Sequence, residues 1–290
     1  NTGCAQAPQT RDQYAKIPVI NNVATGGNIT RQFMPPEYPD NYIFRNAASD
    51  DIQTRMIIRE AVERRKFKNF AIFHDTTAYG DLGSKQLIAE LAKRQLKPVI
   101  IENFPLGTTD MTAALQRARS AGAEALLCYT IGPELAAIAN GKAKIGWKIP
   151  MIGSWALSLP NFIENANKNA EGARMPQTFI ESLNNYHRTA FISAYKNANK
   201  TTQIPSSVSA AQGYDSALIL IAAMIQAGTT EGPKIRTALE NLKKPIHGVI
   251  TTYERPFTHD DHEAISENMV FMGEVKNGQI AFAYPEDERR

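Results

Sequence analysis

Apolar and polar positions alternate in a regular rhythm over the first half of the chain. Helical spacing over residues 52–65 leads into an apolar run at 70–73. The pattern then repeats three times: helix 80–94 and strand 98–103, helix 111–121 and strand 125–129, helix 133–144 and strand 149–152. Short β-rich runs alternating with helical patterns predict βαβ units around a parallel sheet. Ahead of them, residues 5–15 read as a helix, 17–20 as a short buried strand, and 21–28 as a loop with Gly26-Gly27. Helix starts are marked chemically. The Asp110 side chain is placed to accept from free first-turn N–H groups, and Pro133 suits a first turn, where no N–H is needed.

After Ile152 the rhythm changes. Residues 154–174 are irregular, and helices follow at 183–198, 206–227 and 232–241. The stretch 217–227 is nearly all apolar, which predicts a buried helix. Residues 248–284 read as strand and hairpin, with Lys276-Asn277-Gly278-Gln279 as the turn.

A length of 290 residues with 43% hydrophobic and 21% charged content allows two globular domains. No run approaches the ~18 apolar residues of a membrane span. The net charge of +3 is small. The basic stretch 59–68 is broken by Glu60 and Glu63 at helical spacing, the mark of a solvated helix face and not of a nucleic-acid patch. Cys4 and Cys128 form no CxxC pair, so spacing gives no zinc or thiol-redox site. Gly3-Cys4 follows no apolar h-region and reads as an internal loop, and no signal-peptide pattern heads the chain.

The densest candidate chemistry lies at residues 69–83, NFAIFHDTTAYGDLG. A strand ends in His74-Asp75, a polar loop follows, and Tyr79-Gly80 opens a helix. Ligands of open α/β sheets sit at the carboxyl ends of strands, where a tyrosine offers both a ring face and a hydroxyl. No motif sets a serine or cysteine nucleophile beside His74, so its pairing with Asp75 reads as a strand-end hydrogen bond. His259-Asp260-Asp261-His262-Glu263 has no structural zinc spacing and reads as a solvated polar loop. Neither GxGxxG nor GxxxxGK[ST] occurs. No metal or cofactor is expected.

Several motifs in order resemble those of type I periplasmic solute-binding proteins, in the leucine/isoleucine/valine-binding branch. They are Ile17-Pro18-Val19-Ile20 with Ala24-Thr25 and Thr30; Phe44-Arg45 with Ser49-Asp50-Asp51 and Gln53; and Ala71-Ile72-Phe73-His74-Asp75 with Tyr79-Gly80. Pro105-Leu106-Gly107 with Asp110-Met111, Ala170-Glu171-Gly172, Gly213-Tyr214-Asp215-Ala217 and residues 259–264 complete the set. The resemblance implies an α/β fold of two doubly wound parallel-sheet lobes, hinge-connected by three crossings. Residues 1–46 and 176–250 would form the first lobe, and 47–175 and 251–290 the second. Family members carry a further strand–helix–strand–helix stretch ahead of this segment, on the order of 60 residues, so the first lobe is expected to expose apolar sheet.

The same resemblance implies an extracytoplasmic, periplasmic receptor of an ABC importer. It would bind a small-molecule ligand in the interlobe cleft, deliver it to the permease subunits, act as a monomer, perform no chemistry and bind no nucleic acid. Thr25 matches a carboxylate-binding position, Val23 and Ala24 offer backbone groups from the same loop, and Thr2 falls where a carboxylate-binding serine stands. Tyr79 matches the cleft tyrosine. Thr130 and Ser209 are further candidates by position. Trp155 stands where amino-acid-binding members carry an acidic residue for the α-ammonium. Because a desolvated ammonium needs a counter-charge, tryptophan there points to an organic acid, such as an aromatic carboxylate. A branched-chain or other amino-acid receptor and a ligand-sensing regulatory domain of the same fold are the alternatives.

Overall fold

The computed structural model of the chain describes residues 2–182 and 185–289. Its contacts divide it into two units. One holds Asn1–Ser49 and Glu181–Val270, the other Asp50–Ile180 and Phe271–Arg290. The chain passes from one to the other three times. Residues 251–270, expected with the second lobe, group with the first unit, and 176–180 group with the second.

In the first unit, α1 (Thr2–Tyr14) leads to β1 (Val19–Asn21), α2 (Asn28–Arg31) and β2 (Ile43–Arg45). The helix begins ahead of the expected start, so Cys4 lies exposed on α1 and not in a loop. β1 and β2 pair in parallel, Val19 against Ile43, over a small core of Ala24, Ile29, Phe33 and Ile43. β2 ends on a fully buried arginine. Arg45 donates to both carboxylate oxygens of Glu263, at 2.7 and 2.5 Å, and to the Gly26 carbonyl at 2.7 Å. Thr30 donates to the same carboxylate at 2.5 Å. A buried guanidinium requires such pairing, and this pairing ties residues 258–264 to β2.

The second unit opens with α3 (Asp50–Ile58), which has two acidic residues in its first turn, where they oppose the positive end of the helix dipole. One π-helical turn, Arg59–Arg64, continues it. Glu60 there is buried and accepts from Arg174 at 2.6 Å and from the Tyr284 hydroxyl at 2.8 Å. The basic stretch is therefore solvated on only part of its surface. Next come β3 (Phe70–Asp75), α4 (Ala78–Ala92), β4 (Ile100–Phe104), α5 (Thr112–Ser120), β5 (Ala125–Tyr129) and α6 (Gly132–Lys144). β6 (Met151–Gly153), a short turn at Trp155–Ser158, α7 (Pro160–Ala166) and β7 (Arg174–Gln177) follow. Pro133 lies in the first turn of α6 as read, while α5 starts one residue later than expected, with Met111 at its N-cap and Asp110, just ahead, accepting the Thr112 N–H at 2.8 Å.

The chain then returns to the first unit. The helix expected from Leu183 is described as α8 (Tyr186–Asn199), Leu183 itself lying outside the described residues. α9 (Ser207–Ala227), α10 (Gly232–Glu240), β8 (Ile246–His247) and β9 (Thr252–Tyr253) complete that unit. α9 departs from expectation. Ala211, Asp215, Ile219 and Ala223 are buried along one stripe, whereas Ile221 is 53% and Ile225 76% exposed. At 21 residues α9 also meets the length and hydropathy of a membrane span. Buried Asp215 nevertheless fastens it within its unit, accepting from the Val249 and Ile250 N–H groups and the Tyr253 hydroxyl at 2.8 to 3.0 Å.

β10 (Phe271–Lys276) and β11 (Gln279–Phe282) form the expected hairpin, turning at Asn277-Gly278 with both residues at positive φ, the geometry that Asn-Gly adopts most readily. The sheet of the second unit runs β11-β10-β7-β6-β5-β3-β4. β3 to β7 are parallel and the hairpin is antiparallel. Alternation along β5 sends Leu126 and Cys128 into the core on one face and Ala125, Leu127 and Tyr129 into the core on the other. A strand buried on both faces reads as one apolar run. The parallel strands all point their carboxyl ends the same way, and Tyr79, Thr130 and Trp155 follow those ends.

Candidate functional site

In the second unit, β3, β5 and β6 end in a connected polar layer. The Thr77 side chain caps α4 by accepting the Gly80 N–H, which seats Tyr79 in the first helical turn. The Tyr79 hydroxyl donates to Ser154 Oγ at 2.6 Å, and its ring lies 4.9 Å from that of Tyr129. Tyr129 donates to Asp50 Oδ1 at 2.6 Å. Burial, and then the charge of Asp50, hold both phenols well above their ordinary pKa. They stay neutral donors.

Beyond β5, Thr130 is fully buried and its Oγ1 has no hydrogen-bond partner among the described residues. An unpaired buried hydroxyl carries a desolvation cost, and a ligand oxygen arriving there would relieve it. Trp155, half-buried, starts the turn after β6, and its backbone N–H is donated to Gln53 Oε1 at 2.9 Å. Tyr79, Thr130 and Trp155 thus all sit at strand ends of one sheet.

His74 and Asp75 differ from the simple pair. The His74 ring faces the backbone carbonyl of Asp75 at 2.9 Å, while the Asp75 carboxylate takes the Thr77 N–H and hydroxyl. The two side chains are therefore not coupled for proton transfer.

The first unit carries a second group. Ala24 and Thr25 are buried in the loop after β1, and Val23 is 40% exposed. Thr2 is fully buried, its Oγ1 without a partner among the described residues. The Thr2 methyl would lie 2.4 Å from a Cβ at Gly26, so the glycine lets the loop close on the threonine. Ser209, in the first turn of α9, receives the Ser206 hydroxyl at 2.8 Å. No hydrogen bond among the described residues joins it to Thr2 or Thr25.

The 259–263 stretch is not a solvated loop throughout. His262 is buried, stacked 3.9 Å from Phe44, with its ring nitrogens 2.9 Å from the Ile43 carbonyl and 3.2 Å from Glu240. Glu263 is committed to Arg45. Their side chains diverge into two separate pairings.

A family model described as periplasmic binding protein matches residues 5–279. The chain belongs to the periplasmic binding protein family, type I. A Leu/Ile/Val-binding protein homolog from Brucella melitensis is 22% identical over 242 residues, 83% of this chain and 63% of that relative. The chain therefore spans less than two thirds of the length of this curated relative. A type 1 periplasmic binding protein from Bordetella pertussis has a TM-score of 0.82 at 26% identity, over 97% of this chain and 78% of that one. An ABC-transporter solute-binding protein from Rhodopseudomonas palustris, solved with benzoate, has a TM-score of 0.78 at 17% identity, covering 97% and 74%. These family relatives are solute-binding proteins.

Sequence reasoning missed Tyr129 and Ser154, and it named Asp50 and Gln53 only as part of a family motif, with no role at the site. Ser154 had a signal, since it directly precedes Trp155 at a strand end. The motif marked Gln53 but not its partner, which lies 102 residues away.

Proposed function

We propose that the chain is the extracytoplasmic binding receptor of an ABC importer and that its ligand is a small organic acid lacking an α-amino group, aromatic carboxylates foremost. The carrying observation is Trp155, a neutral aromatic at the end of β6 with its backbone held by Gln53. An indole supplies a face for stacking and no counter-charge. The neutral phenols of Tyr79 and Tyr129 near the ends of β3 and β5 are consistent with an aromatic guest. Thr2, Val23, Ala24 and Thr25, with Thr130 and Ser209, would supply hydrogen bonds to the carboxylate, which are strengthened by its charge. In this reading nothing reacts: the loaded monomer passes its ligand to permease subunits in the membrane. The name of the Brucella relative favours a second reading, a branched-chain amino acid as the ligand.

A thermal-shift comparison separates the two, because a ligand that binds only the folded state raises the apparent stability. Benzoate is expected to raise the melting temperature and leucine to leave it unchanged. Trp155→Ala should weaken benzoate binding about tenfold, the loss of one aromatic contact. A shift with leucine alone would replace the organic acid by the amino acid.

A further inference from the structure

Trp155 begins a helical turn of four residues, Trp155–Ser158, too short to satisfy its own first N–H groups. The preceding residue does not cap it. Ser154 makes no side-chain cap, and its hydroxyl oxygen receives the Tyr79 hydroxyl. The cap comes instead from another helix: Gln53, fully buried in α3, accepts the Trp155 N–H at 2.9 Å. The Trp155 carbonyl accepts from Ser158 Oγ at 2.7 Å. Both backbone polar groups of the tryptophan are thus held by side chains. The same end of α3 presents Asp50 to Tyr129, so one helix start fastens the residues that end β5 and follow β6.

We propose that Gln53 is the positioning residue of the ligand site. It fixes the backbone of Trp155 so that the indole is preorganised for the ligand, which lowers the ordering cost of binding. The residue type suits the role. A glutamine is a neutral acceptor long enough to reach the turn, whereas a carboxylate would add charge beside Asp50 and Asp51. The role in binding rests on the reading of Trp155 as a ligand contact; the backbone role does not.

Amide hydrogen exchange followed by NMR reads the backbone role directly. The Trp155 N–H should be protected in the unaltered chain. In Gln53→Met, similar in length but without the acceptor, it should exchange at least about tenfold faster, while the Leu127 and Ile152 amides of the sheet keep their rates. Gln53→Asn, which withdraws the acceptor by one methylene, should do the same and serves if the methionine variant does not fold. With benzoate as the probe, Kd should rise about fivefold in Gln53→Met, the loss of one hydrogen bond's worth of positioning. A Trp155 amide that exchanges freely in the unaltered chain, or that exchanges in the variants at the rate of the unaltered chain, overturns the proposal. So does an unchanged Kd once the amide is released. Released exchange in a chain that binds no benzoate would support the backbone role and overturn the organic-acid reading instead.

Discussion

Gly83 shows how closely single atoms constrain the polar layer. A Cβ at this position on α4 would lie 1.9 Å from Tyr129 Cδ1, far inside contact distance. In an exposed helix, glycine to alanine would stabilise by roughly 1 kcal/mol. Here Gly83→Ala should instead destabilise by about 1 to 3 kcal/mol, the usual cost of overpacking, as read from urea unfolding. The cost arises because the Tyr129 ring must move off its bond to Asp50 or the helix must lift. The place of Tyr79 was readable at this scale because it is local, the first turn of a helix one loop beyond a strand. The Asp75 carboxylate was only half readable. Its use by Thr77 is local, but the direction of the His74 ring depends on rotamers that a one-letter string does not carry.

At the scale of elements, spacing placed most helices and strands within a few residues. Turn chemistry located the Asn277-Gly278 hairpin, since periodicity and preferred dihedrals act over a few residues. α9 went otherwise. Its stretch 217–227 is nearly all apolar, yet within its unit the described strands form only two two-stranded sheets, and one stripe of the helix stays uncovered. Composition counts apolar residues but not the partners available to bury them. Ile219→Ala should therefore cost about 2 to 5 kcal/mol, whereas Ile221→Gln and Ile225→Gln should each stay within about 0.5 kcal/mol. Chemical denaturation of the three variants would check the pairing, and equal losses would mean that the outer stripe is covered in solution.

At the scale of the whole molecule, buried charges link segments far apart in the chain. Burial pushes the Glu240 carboxyl upward, but the hydrogen bond from His262 and the charges of Arg236, His262 and His259 outweigh it and hold the pKa below the ordinary glutamate range. With the folded pKa below the unfolded one, the unfolded chain binds more protons in acid. The stability that Glu240 contributes is thus present above its unfolded value, ~4.3, and is lost as pH falls through the folded value. Melting curves should show the unaltered chain losing its advantage over Glu240→Gln as pH drops from 6 toward about 3. A constant difference across that range would assign the acid sensitivity to other groups.

The sequence by itself determined the alternation of helix and strand, the parallel sheet, the marked helix starts, the hairpin turn and a family resemblance carried by short motifs in order. Each of these depends on neighbours within one element, where backbone geometry limits the choices. Only the tertiary structure decided that 251–270 joins the first unit through Arg45 and Glu263, that one stripe of α9 is bare, and that Gln53 holds Trp155. Those outcomes join residues tens to hundreds of positions apart, and their energies depend on desolvation and close packing, which exist only once the chain has folded.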